Sequence, residues 1–328
     1  MVLLVLALII NCLVGVSVSQ GQNFENNEQL RVGFYANTCP AAENIVRSVV
    51  REAAVSDEKT APVLLRLHFH DCFVEGCDGS ILIDTGSSAD ERTAFGHQGV
   101  RGFDLIENAK ARLEAACPGV VSCSDIVALA ARDAIALANG PFYEVETGRR
   151  DGMISDASKA GNMPDVEDSI QLLKAKFQEK GLTSKDLVLL SAAHTIGTTA
   201  CFFMMSRLYS TNGSDPSINP DFLPELKSIC PKGGDINVRL AMDHGSENAF
   251  DIQILQNIRR GFAVLRSDAQ LYEDSETRAL VDSYFGTFAS FLGPSFEADF
   301  VQAMLKLGRL DVKTGSKGTI RRLCAAFA

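Results

Sequence analysis

The most informative part of the sequence is Leu64-Leu-Arg-Leu-His-Phe-His-Asp-Cys-Phe-Val-Glu-Gly-Cys-Asp-Gly-Ser80. On a helix, Arg66 and His70 are four residues apart and share one face, whereas His68 points away from both. An imidazole and a permanent cation on one face can move a proton and stabilise developing negative charge, which suits the cleavage of a peroxide bond. Helices also carry such pairs for structural reasons, so the pair by itself leaves both interpretations open.

A second histidine of interest lies in Leu189-Leu-Ser-Ala-Ala-His-Thr-Ile-Gly197, near the end of an apolar helix. One explanation of His194 is a buried histidine that bonds to a backbone carbonyl, which is the usual case for a single imidazole. The other is an axial ligand of haem iron, whose second ring nitrogen donates to a carboxylate. Asp268, in Arg266-Ser-Asp-Ala-Gln270, is a candidate for that carboxylate, although spacing alone does not establish the pair.

Helical periodicity extends through most of the chain, and Gly/Pro/Asn clusters separate the helical stretches. Neither an internal repeat nor a strand–helix–strand alternation is present. We therefore predict a mainly α-helical fold with a few short β-hairpins at most. Helices are predicted at Ala41–Ala54, Phe103–Ala116, Asp125–Leu137 (capped by Ser122), Leu187–Cys201 (capped by Thr183 or Ser184), Phe222–Cys230, Phe250–Arg260, Glu276–Leu292 and Phe296–Leu307.

Residues 1–19 contain no charged side chain and end in small residues, which is typical of a secretory signal peptide. A membrane anchor is the alternative, but Asn11, Cys12 and Gly15 interrupt an apolar run that is short for a bilayer needing ~20 apolar residues. We predict cleavage near residues 19–20, which leaves residues 20–328 as one large domain or two closely fused lobes without a membrane partner. The net charge of −10 and the lack of a Lys/Arg stripe argue against a nucleic-acid partner.

Cysteine usage supports an extracellular setting. An even number of cysteines remains after the signal peptide is removed, and in a secreted chain this indicates disulfide bonds whose pairing the sequence leaves open. A zinc site is the alternative, but it needs repeated short Cys or Cys/His spacings, which are absent from the sequence. One N-glycosylation sequon, Asn212-Gly-Ser214, is also present. The cysteines are Cys39, Cys72, Cys77, Cys117, Cys123, Cys201, Cys230 and Cys324.

An ordered set of motifs resembles the plant secretory (class III) peroxidases, and the resemblance covers the chain from about Gln29 to Cys324. A single His-Thr-Ile-Gly would mean little, whereas the ordered set with eight matching cysteines is specific. The resemblance implies a haem peroxidase fold with one haem b between a distal and a proximal helical lobe. The motifs are Arg66-Leu-His-Phe-His-Asp-Cys-Phe, the Gly-Cys-Asp-Gly-Ser that follows it, Val121-Ser-Cys-Ser-Asp-Ile, Gly148-Arg-Arg-Asp and Ser191-Ala-Ala-His-Thr-Ile-Gly.

The same resemblance implies roles for individual residues. Arg66 and His70 would be the distal catalytic pair, and Phe69 a wall over the haem. His194 would be the proximal iron ligand and Asp268 its hydrogen-bond partner. The implied disulfide pairs are Cys39 with Cys117, Cys72 with Cys77, Cys123 with Cys324, and Cys201 with Cys230.

Two calcium sites are implied in the same way, and each begins beside a catalytic histidine. Calcium takes six to eight oxygen ligands and mixes carboxylates with the backbone carbonyls of tight turns. The alternative is that these acids are ordinary turn and cap residues. The distal set is Asp71, Val74, Gly76, Asp78 and Ser80, with Glu91 as a water-linked carboxylate. The proximal set is Thr195, Asp243, Ser246, Ala249 and Asp251, and in the two sets Val74, Gly76 and Ala249 serve through backbone oxygens.

The sequence departs from the family at three positions. Where relatives have an Asn that accepts a hydrogen bond from the distal histidine, this chain has His97. His97 either accepts that bond through an unprotonated nitrogen or is a surface loop residue. Because an imidazole has a reference pKa of about 6.5, the first case predicts slower reaction with peroxide, most of all at acid pH. Pro164 matches a substrate-channel proline, but Asp165-Val166 lacks the second proline, and Tyr143 replaces a common Trp.

We expect a monomeric enzyme that reduces hydrogen peroxide and oxidises small phenolic donors, such as cell-wall and lignin precursors, in two one-electron steps. Such an enzyme also serves the response to oxidative stress. The chain ends shortly after Cys324, so we expect an extracellular, cell-wall location rather than a vacuolar one. Two other functions stay open: a calcium-binding scaffold that has lost turnover through His97, and a zinc hydrolase that uses His68 and His70.

Overall fold

The computed structural model describes residues 29–286 and 293–328, and helices dominate both ranges. The predicted signal peptide lies outside these residues. Four short strands form two antiparallel ribbons, β1 (Arg31–Val32) with β2 (Glu146–Thr147) and β3 (Thr198–Ala200) with β4 (Arg239–Ala241). The mainly α-helical prediction is confirmed. The helices are α1 (Ala42–Ser56), α2 (Thr60–Glu75), α3 (Phe103–Ala116), α4 (Cys123–Leu137), α5 (Ile170–Glu179), α6 (Ser184–Ser191), α7 (Met205–Tyr209), α8 (Leu223–Ile229), α9 (Gln253–Arg260), α10 (Arg266–Glu273), α11 (Ser275–Ser283) and α12 (Phe296–Leu307).

The largest error in the predicted helices concerns the segment that contains His194. The helix was expected at Leu187–Cys201, but α6 begins at Ser184, where Thr183 forms a capping box with Asp186, and it ends at Ser191. A 3₁₀ turn over Ala192–Thr195 follows, and the chain then enters β3. Gly197, with φ of 99°, provides a backbone conformation that suits glycine, and the β-branched residues around it favour the strand.

Other helices agree more closely with the prediction. Helices α3 and α12 begin and end at the predicted residues, and Ser122 caps α4 by accepting from the Asp125 backbone N–H. Helix α11 ends at Ser283, short of the predicted end, and residues 287–292 lie outside the described ranges. Helices α5, α7 and α10 were missed.

One large hydrophobic core connects most of the helices, and α2 lies inside it against α4. Helix α2 is apolar on most sides, so its residues are buried apart from a few that include Arg66 and Phe69. A smaller second core forms where α7 and α8 pack beside the β3–β4 ribbon. No helix in the described ranges has the length and apolarity to cross a membrane.

Two of the sequence motifs hold the fold together through a buried carboxylate. Asp125, in α4, accepts hydrogen bonds from the Tyr35 hydroxyl and the Gly148 backbone N–H, both at 2.7 Å, and from Arg149 Nη1 at 2.8 Å. Because all these groups are buried, removing one partner would leave a polar group unpaired in the core. The motifs around Asp125 and Gly148 are therefore structural.

Four disulfide bonds add covalent ties, and they are the pairs that the resemblance implies. The bond with the longest sequence separation joins the start of α4 to the carboxyl-terminal segment, which crosses back to the region where α2 ends. Such cross-links stabilise a fold chiefly by restricting the unfolded chain. The bonds are Cys39–Cys117, Cys72–Cys77, Cys123–Cys324 and Cys201–Cys230.

Candidate active site

The distal side of the site is formed by the accessible face of α2. Arg66 is exposed and Phe69 half-buried, while His70, one turn after Arg66, is 7% exposed. Arg66 Nε donates to His70 Nε2 at 3.1 Å, so the two side chains share a face as their spacing predicts. His68 is turned into the core, where its Nδ1 lies 3.5 Å from Cys72 Sγ.

A second imidazole meets the other nitrogen of His70. His70 Nδ1 lies 2.8 Å from Nδ1 of His97, which is 2% exposed and thus not a surface loop residue. Because Arg66 donates to Nε2 of His70, neutral His70 has its proton on Nδ1, and Nδ1 of His97 accepts it. The proton of His97 is then on Nε2, which lies 3.6 Å from Glu91 Oε1. Hydrogen bonds therefore connect Arg66, His70 and His97, and Glu91 lies beside His97 without bonding to it.

The surroundings of His70 keep it unprotonated. Burial, and then the positive charge of Arg66 and the neighbouring His97, lower the pKa of His70 well below its ordinary value. The Arg66 guanidinium, whose ordinary pKa lies above about 12, stays protonated at neutral pH. The pair combines a free base with a fixed cation.

The proximal side is built around His194, in the turn that follows α6. His194 Nδ1 lies 3.0 Å from both carboxylate oxygens of Asp268, a fully buried residue in the first turn of α10. Burial by itself lowers the pKa of His194, but the charge and hydrogen bond of Asp268 outweigh it, and the pKa lies above its ordinary value. The carboxylate fixes the proton on Nδ1 and leaves the Nε2 lone pair available to a metal.

These residues fit a haem. The His194 side chain is 34% exposed although Asp268 beneath it is covered, so its free nitrogen faces accessible space. An imidazole with a carboxylate partner on one side, and a base with a cation on the other, is the donor set expected around a reactive haem.

The predicted distal calcium residues include buried oxygens that have no protein partner. Both carboxylate oxygens of Asp71, both of Glu91 and the hydroxyl of Ser80 form no hydrogen bond to the described residues. Burial, and then the charges of Asp78 and Glu91, raise the pKa of Asp71 well above its ordinary value. A divalent cation would satisfy these oxygens and restore the carboxylates to their charged form.

The end of α2 shapes this site. Gly76 has φ of 92°, and a Cβ on it would lie 2.6 Å from Cβ of Asp311, so only glycine fits. The Ser80 backbone N–H donates to Asp78 Oδ1 at 2.9 Å and orients that carboxylate. No three His, Cys, Asp or Glu side chains converge as metal ligands within the described ranges, and the predicted set depends also on hydroxyl and backbone oxygens.

The predicted proximal calcium residues are linked to one another by hydrogen bonds. Thr195 Oγ1 donates to Asp243 Oδ2 at 3.0 Å, and the Ser246 hydroxyl donates to Asp251. Thr195 Oγ1 also lies 3.3 Å from the backbone oxygen of Ala249. Burial raises the pKa of Asp243 to about 7, which again favours a cation beside it.

Three further residues singled out from the sequence have clear positions. Pro164 is half-buried in a loop. This loop lies against the turn that contains His97: a Cβ placed on Gly96, beside His97, would be 3.4 Å from Cβ of Met163, beside Pro164. Tyr143 is buried near His68 and contributes to the core. Asn212 is exposed in a turn.

Sequence analysis missed several contacts of the site. Asn257 Nδ2 donates to Asp243 Oδ1 at 2.6 Å, and Arg66 Nη2 donates to the backbone oxygen of Gln98 at 3.0 Å. Two lysines also contact the distal calcium residues, as described below. The residues in each contact are far apart in sequence and belong to no local motif, so no signal in the sequence joins them.

The chain is similar in sequence to several known proteins. The family model described as peroxidase matches residues 46–287. Peroxidase 43 of Arabidopsis thaliana is 66% identical over 301 residues, which cover 91% of this chain and 92% of that protein. Peroxidase 13 of the same plant is 60% identical over 299 residues, with 91% and 92% covered. Peroxidase N1 of Nicotiana tabacum is 48% identical over 330 residues, with 100% of this chain and 96% of that protein covered.

Proposed function

The chain belongs to the plant secretory (class III) peroxidases, and we propose that it is a secreted enzyme that uses hydrogen peroxide to oxidise phenolic donors in two one-electron steps. Peroxidase activity and the use of haem and calcium are properties of the family. The observation that carries the proposal is the contrast between the surroundings of two histidines. His70 is kept neutral beside Arg66, and His194 is held by Asp268 with one nitrogen free.

We assign His194 as the residue that holds one haem b, through Nε2. Asp268 supports this assignment because it occupies Nδ1 and makes the opposite nitrogen a better electron donor. The bound haem supplies the redox chemistry that side chains lack. Phe69, half-buried beside His70, is assigned to the wall over it.

The distal residues handle the protons of peroxide. His70 Nε2 takes a proton from one peroxide oxygen and returns it to the other as the O–O bond breaks. Arg66 stabilises the negative charge that develops on the departing oxygen. His97 accepts a hydrogen bond from Nδ1 of His70 and so keeps the proton of neutral His70 off Nε2, the nitrogen that acts as the base.

Two calcium ions and an extracellular location complete the proposal. The unpaired oxygens of Asp71 and Ser80 support the distal ion, and the raised pKa of Asp243 supports the proximal one. Secretion is supported by the family and by four disulfide bonds, since such bonds persist in oxidising compartments. We assign Pro164 to the channel through which the donor enters and Asn212 to a glycosylation site. We propose that the enzyme works as a monomer.

The calcium-binding scaffold is the second candidate, and His97 is the observation that favours it. A histidine at this position positions His70 differently from the Asn amide of relatives. If His70 were poorly positioned, turnover would be lost. The 2.8 Å contact between His70 and His97 argues for retained catalysis, because it keeps the acceptor in place. The zinc hydrolase is disfavoured, since His68 and His70 point to opposite sides of α2.

The absorption spectrum and turnover of the purified protein separate the three functions. We expect a Soret band and oxidation of guaiacol by hydrogen peroxide. A Soret band without turnover would indicate the scaffold, and zinc without haem the hydrolase. His194→Ala should abolish haem retention in folded protein, and an unchanged spectrum in that variant would exclude His194 as the iron ligand.

A further inference from the structure

The distal calcium residues are contacted by two lysines that the proposed function does not use. Lys313 Nζ donates to Asp78 Oδ2, and the Asp78 side chain is 3% exposed, so this ion pair is largely shielded from water. Lys180 Nζ donates to the backbone oxygen of Val74 at 2.6 Å. Both acceptors belong to the oxygens assigned to the distal ion. Each ammonium group therefore lies beside an oxygen that the ion would also contact.

The lysines do not replace the ion. Both oxygens of Asp71 and the Ser80 hydroxyl stay without a partner among the described residues, and neither lysine donates to them. A third cation, Arg321, donates from Nη2 to the Gly79 backbone oxygen at 2.6 Å, and its own charge is offset by Asp151, 3.8 Å from Nε. The oxygens of Asp71 and Ser80 are thus available to a cation that the lysines do not replace.

The proximal calcium residues have a different set of neighbours. Asp243 accepts from the amide of Asn257 and the hydroxyl of Thr195, and Asp251 accepts from the Ser246 hydroxyl and the Gln253 backbone N–H. All four donors are neutral. Within the described ranges no lysine or arginine forms an ion pair with either carboxylate. The two sites therefore offer similar oxygens but differ in the charge of the groups around them.

We propose that Lys313 and Lys180 lower the calcium affinity of the distal site, so that the distal ion is the exchangeable one and the proximal ion is retained. The inference rests on the two calcium sites of the proposed function. Its physical basis is that an ammonium group both occupies a lone pair of a ligand oxygen and repels a divalent cation a few ångströms away. The neutral donors of the proximal site orient their carboxylates without that repulsion.

The test is a calcium titration of the haem-loaded protein. Bound calcium is removed with a chelator, and the two dissociation constants are measured by competition with a calcium indicator. We expect constants that differ by at least about tenfold. Ser80→Ala should lower the calcium affinity of the weaker site, and Ser246→Ala should lower that of the tighter site. These two effects assign each dissociation constant to its site.

The lysine variants then test the cause. Lys313→Met should lower the calcium dissociation constant of the weaker site by about tenfold, and Lys180→Met should lower it by a smaller factor. Lys313→Gln keeps a hydrogen-bond donor but not the charge, and it should increase the calcium affinity of the same site. It takes the place of Lys313→Met if the methionine variant folds poorly. The matched control is Lys159→Met, which removes one positive charge near the same loop, from an exposed lysine 3.7 Å from Glu75. It should leave both constants unchanged.

The outcomes separate this inference from the calcium sites themselves. Protein that binds no calcium would contradict the proposed sites. Two ions bound with equal affinity, or lysine variants that change neither constant, would overturn the role of the lysines while leaving the sites in place. An equal change in the Lys159→Met control would also overturn it, because the effect would then be one of general surface charge.

Discussion

The distal and proximal sides of the site use the same side chain for opposite purposes. His70 and His194 each precede a residue assigned to calcium, and each bonds to a second group through Nδ1. The partner of His70 is the imidazole of His97. Burial, and then the charge of the Arg66 guanidinium at the other nitrogen and the neighbouring His97, lower the pKa of His70. The partner of His194 is a carboxylate, which raises the pKa against the effect of burial.

This difference shows that the partner at Nδ1 determines what an imidazole can do. A neutral partner, together with burial and a nearby cation, leaves a weak base that can take up a proton and release it again within one reaction. A carboxylate makes the imidazole electron-rich, which suits a permanent bond to a metal. Four experiments test whether the two sides depend on these partners as described.

The largest effect is expected when the distal base is removed. His70→Leu should slow the reaction with hydrogen peroxide by about 10²–10⁴-fold, the usual contribution of a positioned acid–base group, while the Soret band is retained. Stopped-flow absorbance measures the rate. His68→Leu on the same helix is the matched control. If the rate fell equally in both variants, the cause would be a disturbance of the whole helix α2 and not the loss of the His70 base.

Removing calcium should weaken the support of both histidines. Ions bound only to the folded state stabilise it by mass action, by about 2.7 kcal/mol per site when their concentration is ~100 times the dissociation constant. A chelator should therefore lower the melting temperature by roughly 5 °C or more. Differential scanning calorimetry measures the shift, and readdition of calcium should reverse it. An unchanged melting temperature in protein shown to have lost its metal would contradict a stabilising role.

The proximal carboxylate is the next test. Asp268→Asn keeps the shape and a possible hydrogen bond but removes the charge that acts on His194. Groups of this kind commonly contribute 10–100-fold to metal affinity, and we expect haem to transfer to apomyoglobin faster by roughly that factor. Asp282→Asn, at a surface ion pair with Arg259, is the control for loss of one carboxylate. Equal retention of haem in all three proteins would contradict the proposed role.

The smallest effect is expected at His97. An amide accepts a hydrogen bond at any ordinary pH, whereas a protonated imidazole has no free lone pair at Nδ1. His97→Asn should therefore react with peroxide faster than the native protein and lose less rate as the pH falls. His97→Leu, which cannot accept, should be about tenfold slower than His97→Asn, equivalent to about 1.4 kcal/mol. Superimposable pH profiles for all three proteins would show that His97 only fills space.

Sequence reasoning was strongest where function depends on local spacing. The shared face of Arg66 and His70 follows from helical periodicity, and the boundaries of α3 and α12 follow from their apolar patterns. It was weakest where the chain changes structure over a few residues. The turn that presents His194 interrupts an apolar pattern that continues past it, so periodicity alone extended α6 by ten residues, from Ser191 to Cys201.

Contacts between distant segments were beyond the reach of the sequence. The contacts of Lys180 with Val74 and of Lys313 with Asp78 depend on how separate segments pack, which no spacing rule encodes. Asn257 illustrates the same limit, because an amide in a helix has no local mark that it will orient the Asp243 carboxylate.

The carboxyl-terminal segment gives the molecule an order of assembly. Lys313 reaches Asp78, Arg321 reaches Gly79, and Cys324 pairs with Cys123, so residues made late complete a region whose other parts were made early. During synthesis from the amino terminus, α2 is finished long before these partners leave the ribosome. Until those residues are made, Asp78, Gly79 and Cys123 lack these partners, so the distal region cannot reach its final packing. A ribosome-bound chain that stops before residue 313 would contain every residue of the distal catalytic pair and yet lack the groups that close the structure around it.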